Sequence, residues 1–392
     1  MKLSKLGRVV LASIASLGMG FGVTACGPSN TIDFLYVTAS KQNPGQISVY
    51  KIDGEAGLLY QITDSPYLSG GRNPVADVAS NNGKNLYVIN HDDNTMVEFA
   101  IGTDGKLYPQ QTCNMPGSYP MQLAINKDDS YLYIVETYQG NFSKSIPGPG
   151  ALIIFPINSV GQVPVSGGSC ETVANGTNAF YPLGNNPVGV NVSSDGNFVY
   201  AVNENDGTIS AFQVGSDGTL TSVGLFSAGT APNAIASSPN SKFLYVTDGG
   251  SNQLYGFQVQ PTGALAPMTA PFKTDILPDA VAVDPRGLYL YVANYNANNV
   301  GAYSIDQASG NATPISGSVA YGVGTGPTCL LIEPSEGRYI YTSNFLSSSV
   351  SGVYLNPASG VLSAVQGTPF AAASQPTCNA AITHGKHTVV QP

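Results

Sequence analysis

A seven-bladed β-propeller, all-β and built from four-stranded antiparallel blades, is the fold that three regularities of this 392-residue sequence predict. The first is a short strand motif written seven times: FLYVTA (34–39), NLYVIN (85–90), YLYIVE (131–136), FVYAVN (198–203), FLYVTD (243–248), YLYVAN (289–294) and YIYTSN (339–344). The second is a strand of small residues led by Pro, as in PVADVAS (74–80), PVGVNVS (187–193) and PDAVAVD (278–284). The third is an alternating strand, such as TISAFQV (208–214), that runs into a turn glycine. A repeat of about 50 residues filled with strand-like segments marks a propeller or solenoid.

Each repeat reads as four strands in order. The Pro-led strand, with its small side chains, fits the innermost position, where blades converge. A polar turn such as SSDGN or DPRG leads to the Tyr motif as second strand. The third strand places alternate side chains on opposite faces of its sheet. The hairpin glycines Gly57, Gly105, Gly161, Gly218, Gly263, Gly310 and Gly360 supply the positive φ that such turns require, and a weaker fourth strand closes the unit. The chain begins on a second strand and ends on a Pro-led one (Pro376 onward). The C-terminal inner strand is therefore expected to complete a blade whose other strands are N-terminal, sealing an edge that would otherwise stay open. The propeller is assigned to residues 31–392.

Composition agrees: 10% charged residues, 45 Gly, 22 Tyr and no Trp suit a turn-rich all-β chain. The N-terminus is separate. Lys2, Lys5 and Arg8 precede the apolar run VVLASIASLGMGFGV, and VTAC ends at Cys26. Residues 1–25 read as a signal peptide, and the small-residue site before Cys26 resembles the bacterial lipoprotein signal. That resemblance implies lipidation of Cys26, with residues 26–30 as a short linker, and export to the bacterial cell envelope. Cleavage removes three of the 15 basic residues and none of the 24 acidic ones, taking the net charge from −9 to −12. Such a balance disfavours nucleic acid and anionic membrane surfaces as partners, and a monomer is expected. Cys113, Cys170, Cys329 and Cys378 remain, enough for two disulfides in an exported chain. Cys329 and Cys378 each follow an inner-strand Pro by two residues in sequential blades, so they should lie close together near the channel mouth. A bond between them requires Cα atoms within about 7 Å. Cys113 with Cys170 would be the other pair.

The Tyr motif, its following alternating strand and its Gly turn resemble the YVTN-type propellers and, more closely, the lactonase-type seven-bladed family of 6-phosphogluconolactonase-like proteins and muconate lactonising enzymes. The resemblance implies chemistry at the channel mouth by His, Arg and acidic groups on a small lactone or sugar-like ligand. Gluconolactonase-like members carry an Arg-His pair beside the inner-strand Pro. Here those positions read NPVAD, YPMQL, NPVGV, APNAI, LPDAV, GPTCL and QPTCN, without such a pair.

Loops entering inner strands and loops leaving the Tyr motif share one face, the top. Of the Arg and His residues, Arg72 and His91 fall there, whereas Arg286, Arg338, His384 and His387 fall in bottom turns. His91 suits a general base and Arg72 an oxyanion partner, with Glu136 on the next blade to orient the imidazole. Glu204, Asp248, Asp279 and Tyr295 are binding candidates on the same face. The Asn residues ending the motif (Asn90, Asn203, Asn294, Asn344) read as turn caps. HDDN and NENDG lack the spaced oxygen ligands of a calcium loop, and neither metal nor cofactor is expected. The second unit, counted by its Pro-led strand from Pro74, carries insertions at 139–150 and 167–186, also on top. The missing Arg-His pair, the scarcity of basic residues and these insertions favour recognition of a surface protein or glycan, with the propeller as scaffold. The family resemblance favours lactone hydrolysis.

Overall fold

A computed structural model describes residues 30–315 and 320–390. The signal peptide and Cys26 lie outside the described residues. Seven antiparallel sheets form the blades, and no helix occurs among the described residues. Blade I joins the C-terminal Pro376–Thr383 to Thr31–Ala39, Gln46–Asp53 and Leu59–Gln61, so closure is mixed as expected. Blades II to VII follow in chain order, with inner strands Pro74–Ala79, Ser118–Ile125, Pro187–Val192, Pro232–Ser237, Pro278–Val283 and Pro327–Ile332. Each inner strand packs on the next, and the seventh on Pro376–Thr383, which closes the ring. In blades II and IV–VII every residue of the second strand is buried. A strand packed on both faces reads as a continuous apolar run, and that is why LYV stands out in the sequence.

The motif tyrosine and the turn glycine are two halves of one contact. Tyr36, Tyr87, Tyr133, Tyr200, Tyr245, Tyr291 and Tyr341 are all fully buried. Six of them donate across the blade boundary to the turn-glycine carbonyl of the next blade: Tyr36 to Gly105, Tyr87 to Gly161 (2.6 Å), Tyr200 to Gly263, Tyr245 to Gly310, Tyr291 to Gly360 and, closing the ring, Tyr341 to Gly57 (2.9 Å). Most of these glycines also lie under the aromatic ring two residues before the neighbouring motif tyrosine, with Phe34 covering Gly105 and Phe243 covering Gly310. Their positive φ and the covering ring both exclude a side chain. Tyr133 alone of the seven leaves its hydroxyl without a partner.

This asymmetry sets a test. Tyr87→Phe strands the Gly161 carbonyl and should cost about 1–1.5 kcal/mol, whereas Tyr133→Phe removes an unsatisfied buried hydroxyl and should be neutral or stabilising. Denaturant unfolding of the two variants compares them directly; equal losses would contradict the interblade assignment.

Both disulfides are present. Cys329–Cys378 links the inner strands of blades VII and I at a Cα separation of 4.9 Å. Cys113–Cys170 ties the outer strand of blade II to the small hairpin Val165–Ser166/Ser169–Cys170 inserted in blade III, with a Cα separation of 5.5 Å.

Candidate active site at the channel mouth

Every inner strand starts with the same irregularity. Its pairing to the second strand shifts register just after the leading Pro, in all seven blades. A bulge re-aims the side chain it displaces. The residues after the prolines are Val75, Met121, Val188, Asn233, Asp279, Thr328 and Thr377, and all seven line one cavity of about 790 Å³. These positions form the throat of the channel. Blades II, III and IV contribute an apolar arc (Val75, Met121, Val188). Blades V, VI, VII and I contribute a polar one (Asn233, Asp279, Thr328, Thr377).

Glu204, on the loop after the blade IV motif, reaches the same cavity from the rim. Burial pushes the Asp279 pKa up to about 6, Glu204's charge adds to the rise, and the amide of Asn233 opposes it. Asn233 Nδ2 donates to Asp279 Oδ1 at 3.1 Å and to the Pro278 carbonyl at 2.8 Å, while its Oδ1 accepts from the Thr247 hydroxyl at 2.6 Å. The amide is thereby fixed in one orientation. Glu204 is also raised by burial, against a hydrogen bond from Asn186 Nδ2 at 2.6 Å. Across the cavity, Gln122 is among the lining residues, and its Oε1 accepts from Leu123 N–H at 2.9 Å.

The other sequence candidates occupy different settings. Arg72 Nε donates to Asp93 Oδ1 at 2.6 Å and its Nη2 to the Asp92 carbonyl; it is half exposed. His91 Nδ1 lies 2.7 Å from Asp92 Oδ1, and its ring stacks on Tyr119 at 4.8 Å. Arg72 and His91 thus share one network on the blade II rim, outside the residues that line the cavity. Asp92 takes the orienting role foreseen for Glu136. Asp248 is fully buried and accepts from the backbone amides of Thr230, Ala231 and Gly250 and from the Ser251 hydroxyl, which lower its pKa against the cost of burial. It shapes the rim loop. Tyr295 packs over Gly326, beside Leu346.

Asp248 and Glu136 stand where other blades carry the motif's final Asn. Asn90, Asn203, Asn294 and Asn344 are fully buried and donate to the residue five positions on, at the start of the third strand. Glu136 is fully buried against Gly117, and neither oxygen has a well-formed hydrogen bond. Burial pushes its pKa up to about 8, with only the Gly117 backbone amide working against the rise. The folded protein therefore holds this proton more tightly than the unfolded chain does. Glu136 stabilises most at low pH, and that contribution falls between the ordinary glutamate pKa and about 8. Glu136→Gln should flatten the decline of stability with pH by up to about 1.4 kcal/mol per pH unit across that window. Unfolding curves at pH 5 and pH 7.5 would measure it; a wild-type slope retained in the variant would contradict the assignment.

The description "Lactonase, 7-bladed beta-propeller" matches residues 45–143, 171–273 and 193–332. The chain belongs to the seven-bladed lactonase family. Within it, the chain is 23% identical to the 6-phosphogluconolactonase of Pectobacterium atrosepticum over 336 residues, covering 73% of this chain and 95% of that protein. It is 26% identical to that of Pectobacterium carotovorum subsp. carotovorum over 322 residues, covering 72% and 93%. The periplasmic gluconolactonase of Pseudomonas aeruginosa superposes with a TM-score of 0.73 at 17% identity, over 92% of this chain and all of that one. Hydrazine synthase of Kuenenia stuttgartiensis shares the fold at a TM-score of 0.58 and 16% identity, over 86% and 98%. These structural likenesses establish the fold and no more, so the activity of this lactonase-family chain has to be argued from its own throat residues.

Proposed function

We propose that this lactonase-family propeller hydrolyses a small lactone in the top-face cavity. The observation that carries the reading is the convergence of Asp279, Glu204 and the fixed Asn233 amide on that cavity. Asp279, ionised above pH 6, takes a proton from a water molecule as its oxygen attacks the lactone carbonyl carbon. Gln122 Nε2 donates to the carbonyl oxygen as it gains negative charge. Asp279 then delivers the proton it took from water to the ring oxygen as the C–O bond breaks, which returns it to the carboxylate, while the Glu204 carboxylate beside it keeps its proton affinity high. The product is a hydroxy acid; once its new carboxyl group loses its proton to solvent, the carboxylate faces those of Asp279 and Glu204, and the repulsion favours release. Purified protein assayed on a panel of lactones tests this; rates no faster than buffer for every lactone would refute it. Arg72 and His91 are the alternative catalytic pair, tested by His91→Ala in the same assay.

The recognition role has one observation of its own. The blade III insertion and the blade IV rim enclose a second top groove of about 510 Å³, lined by Thr137, Tyr138, Asn185, Asn186 and Asp206. Binding there need not exclude catalysis in the throat.

Two disulfides suit an oxidising compartment. With the signal-like N-terminus they support an exported protein held to the membrane by lipid on Cys26. Cys26→Ala should move the protein from the membrane fraction to the soluble one; a variant that stays with membranes would refute lipid anchoring.

A further inference from the structure

The throat is charged and polar on one side and apolar on the other, and its composition bears on which lactone it takes. This step rests on the hydrolase reading above and narrows its substrate. Among the residues lining the cavity are Val75, Met121, Val188, Ile235, Val281 and Leu330, and none is Lys, Arg or His. The charged groups lining it are Glu204 and Asp279, both carboxylates. Above the polar arc the rim is apolar as well: Leu277 and Phe345 line the mouth, and Ile276 and Leu346 beside them are 56% and 61% exposed. Leu277 holds a positive φ of 55°, a conformation a branched side chain adopts only when its surroundings impose it, and this sets it at the cavity edge.

A phosphorylated sugar lactone would bring a dianion into a cavity whose lining residues include two carboxylates and no cation, and would leave the hydroxyls on the side away from the polar arc against Val75, Met121 and Val188. Both features oppose binding. We infer that the substrate is an uncharged lactone bearing an alkyl substituent, with the lactone ring over Asp279 and the chain lying along the Val75–Met121–Val188 arc. The volume of about 790 Å³ accommodates a ligand of that size.

The test compares δ-valerolactone, the same ring carrying a hexyl chain, glucono-δ-lactone and its 6-phosphate as substrates of the purified protein, with calorimetric binding measured in parallel. Each methylene that reaches the wall should raise kcat/KM about fourfold, so the hexyl lactone should exceed the parent by at least 100-fold. The 6-phosphate should be the poorest substrate. Met121→Ser should shrink the hexyl-to-parent ratio about tenfold, chiefly through KM, with an unchanged circular dichroism spectrum reporting that the fold is intact. Hydrolysis of glucono-δ-lactone or its 6-phosphate in preference to the hexyl lactone would overturn the inference and leave the hydrolase reading standing. Calorimetric binding of the hexyl lactone without hydrolysis of any lactone would do the reverse. If the hexyl lactone neither binds nor reacts, the inference fails.

Discussion

Asp279→Asn is expected to lower lactone hydrolysis by about 10²–10⁴-fold, the range that a positioned general base contributes. The substitution keeps the size of the side chain and leaves the throat bulge intact, so it removes the proton acceptor and little else. Asn233 would turn its amide toward a neutral oxygen in place of a carboxylate one. Folding should be preserved or slightly improved. Asp279 holds its proton more tightly in the folded chain than an ordinary aspartate does, so its ionisation near pH 6 costs stability at neutral pH. A variant equally stable and nearly inactive would separate the chemical role from a structural one. A drop in activity matched by a drop in stability would count against the assignment.

Cys329→Ser with Cys378→Ser is expected to combine a large loss of stability with a change in oligomeric state. The bond closes a loop of 49 residues, and the chain-entropy account gives about 4 kcal/mol for a loop of that length. Its position adds a second consequence. The strand it secures, Pro376–Thr383, covers the inner edge of Thr31–Ala39, which is buried along its whole length. Once that strand loosens, an apolar edge is left open to pairing with another chain. The Cys113–Cys170 bond closes a similar loop but holds an inserted hairpin, so its double serine variant should lose a comparable stability and stay monomeric. Unfolding curves together with size-exclusion chromatography distinguish the two variants. If both stay monomeric with equal losses, the terminal strand is secured without the disulfide.

Much of the architecture was legible because packing imposes one requirement seven times. Tyr87 and Gly161 have counterparts in each repeat and in six of the seven cases form one interblade hydrogen bond, and the Pro at 74, 187 and 278 marks the start of an inner strand. The site was less legible. Reading the prolines for a neighbouring Arg-His pair passed over what the next position does, which is to bulge into the channel. Asp279 and Glu204 were found by their charge, whereas Val75, Met121, Val188 and Asn233 carried no chemical flag, although their place after the Pro was visible throughout. Arg72 and His91 were selected for residue type, but Asp92 and Asp93, adjacent in sequence, engage both. Glu136 and Asp248 occupy the motif's Asn position, and aligning that sixth position would have assigned them to the blade rather than to the ligand. Partners twenty residues away across a top loop decide such cases, and no local pattern encodes them.

If Asp279 in the throat supplies the base, the pH dependence of kcat/KM on a lactone carries its titration. The rate should fall as pH drops through about 6, where Asp279 takes up its proton, with that limb abolished in Asp279→Asn and retained in His91→Ala. A limb that persists in Asp279→Asn and disappears in His91→Ala would contradict it and move the chemistry to the blade II rim.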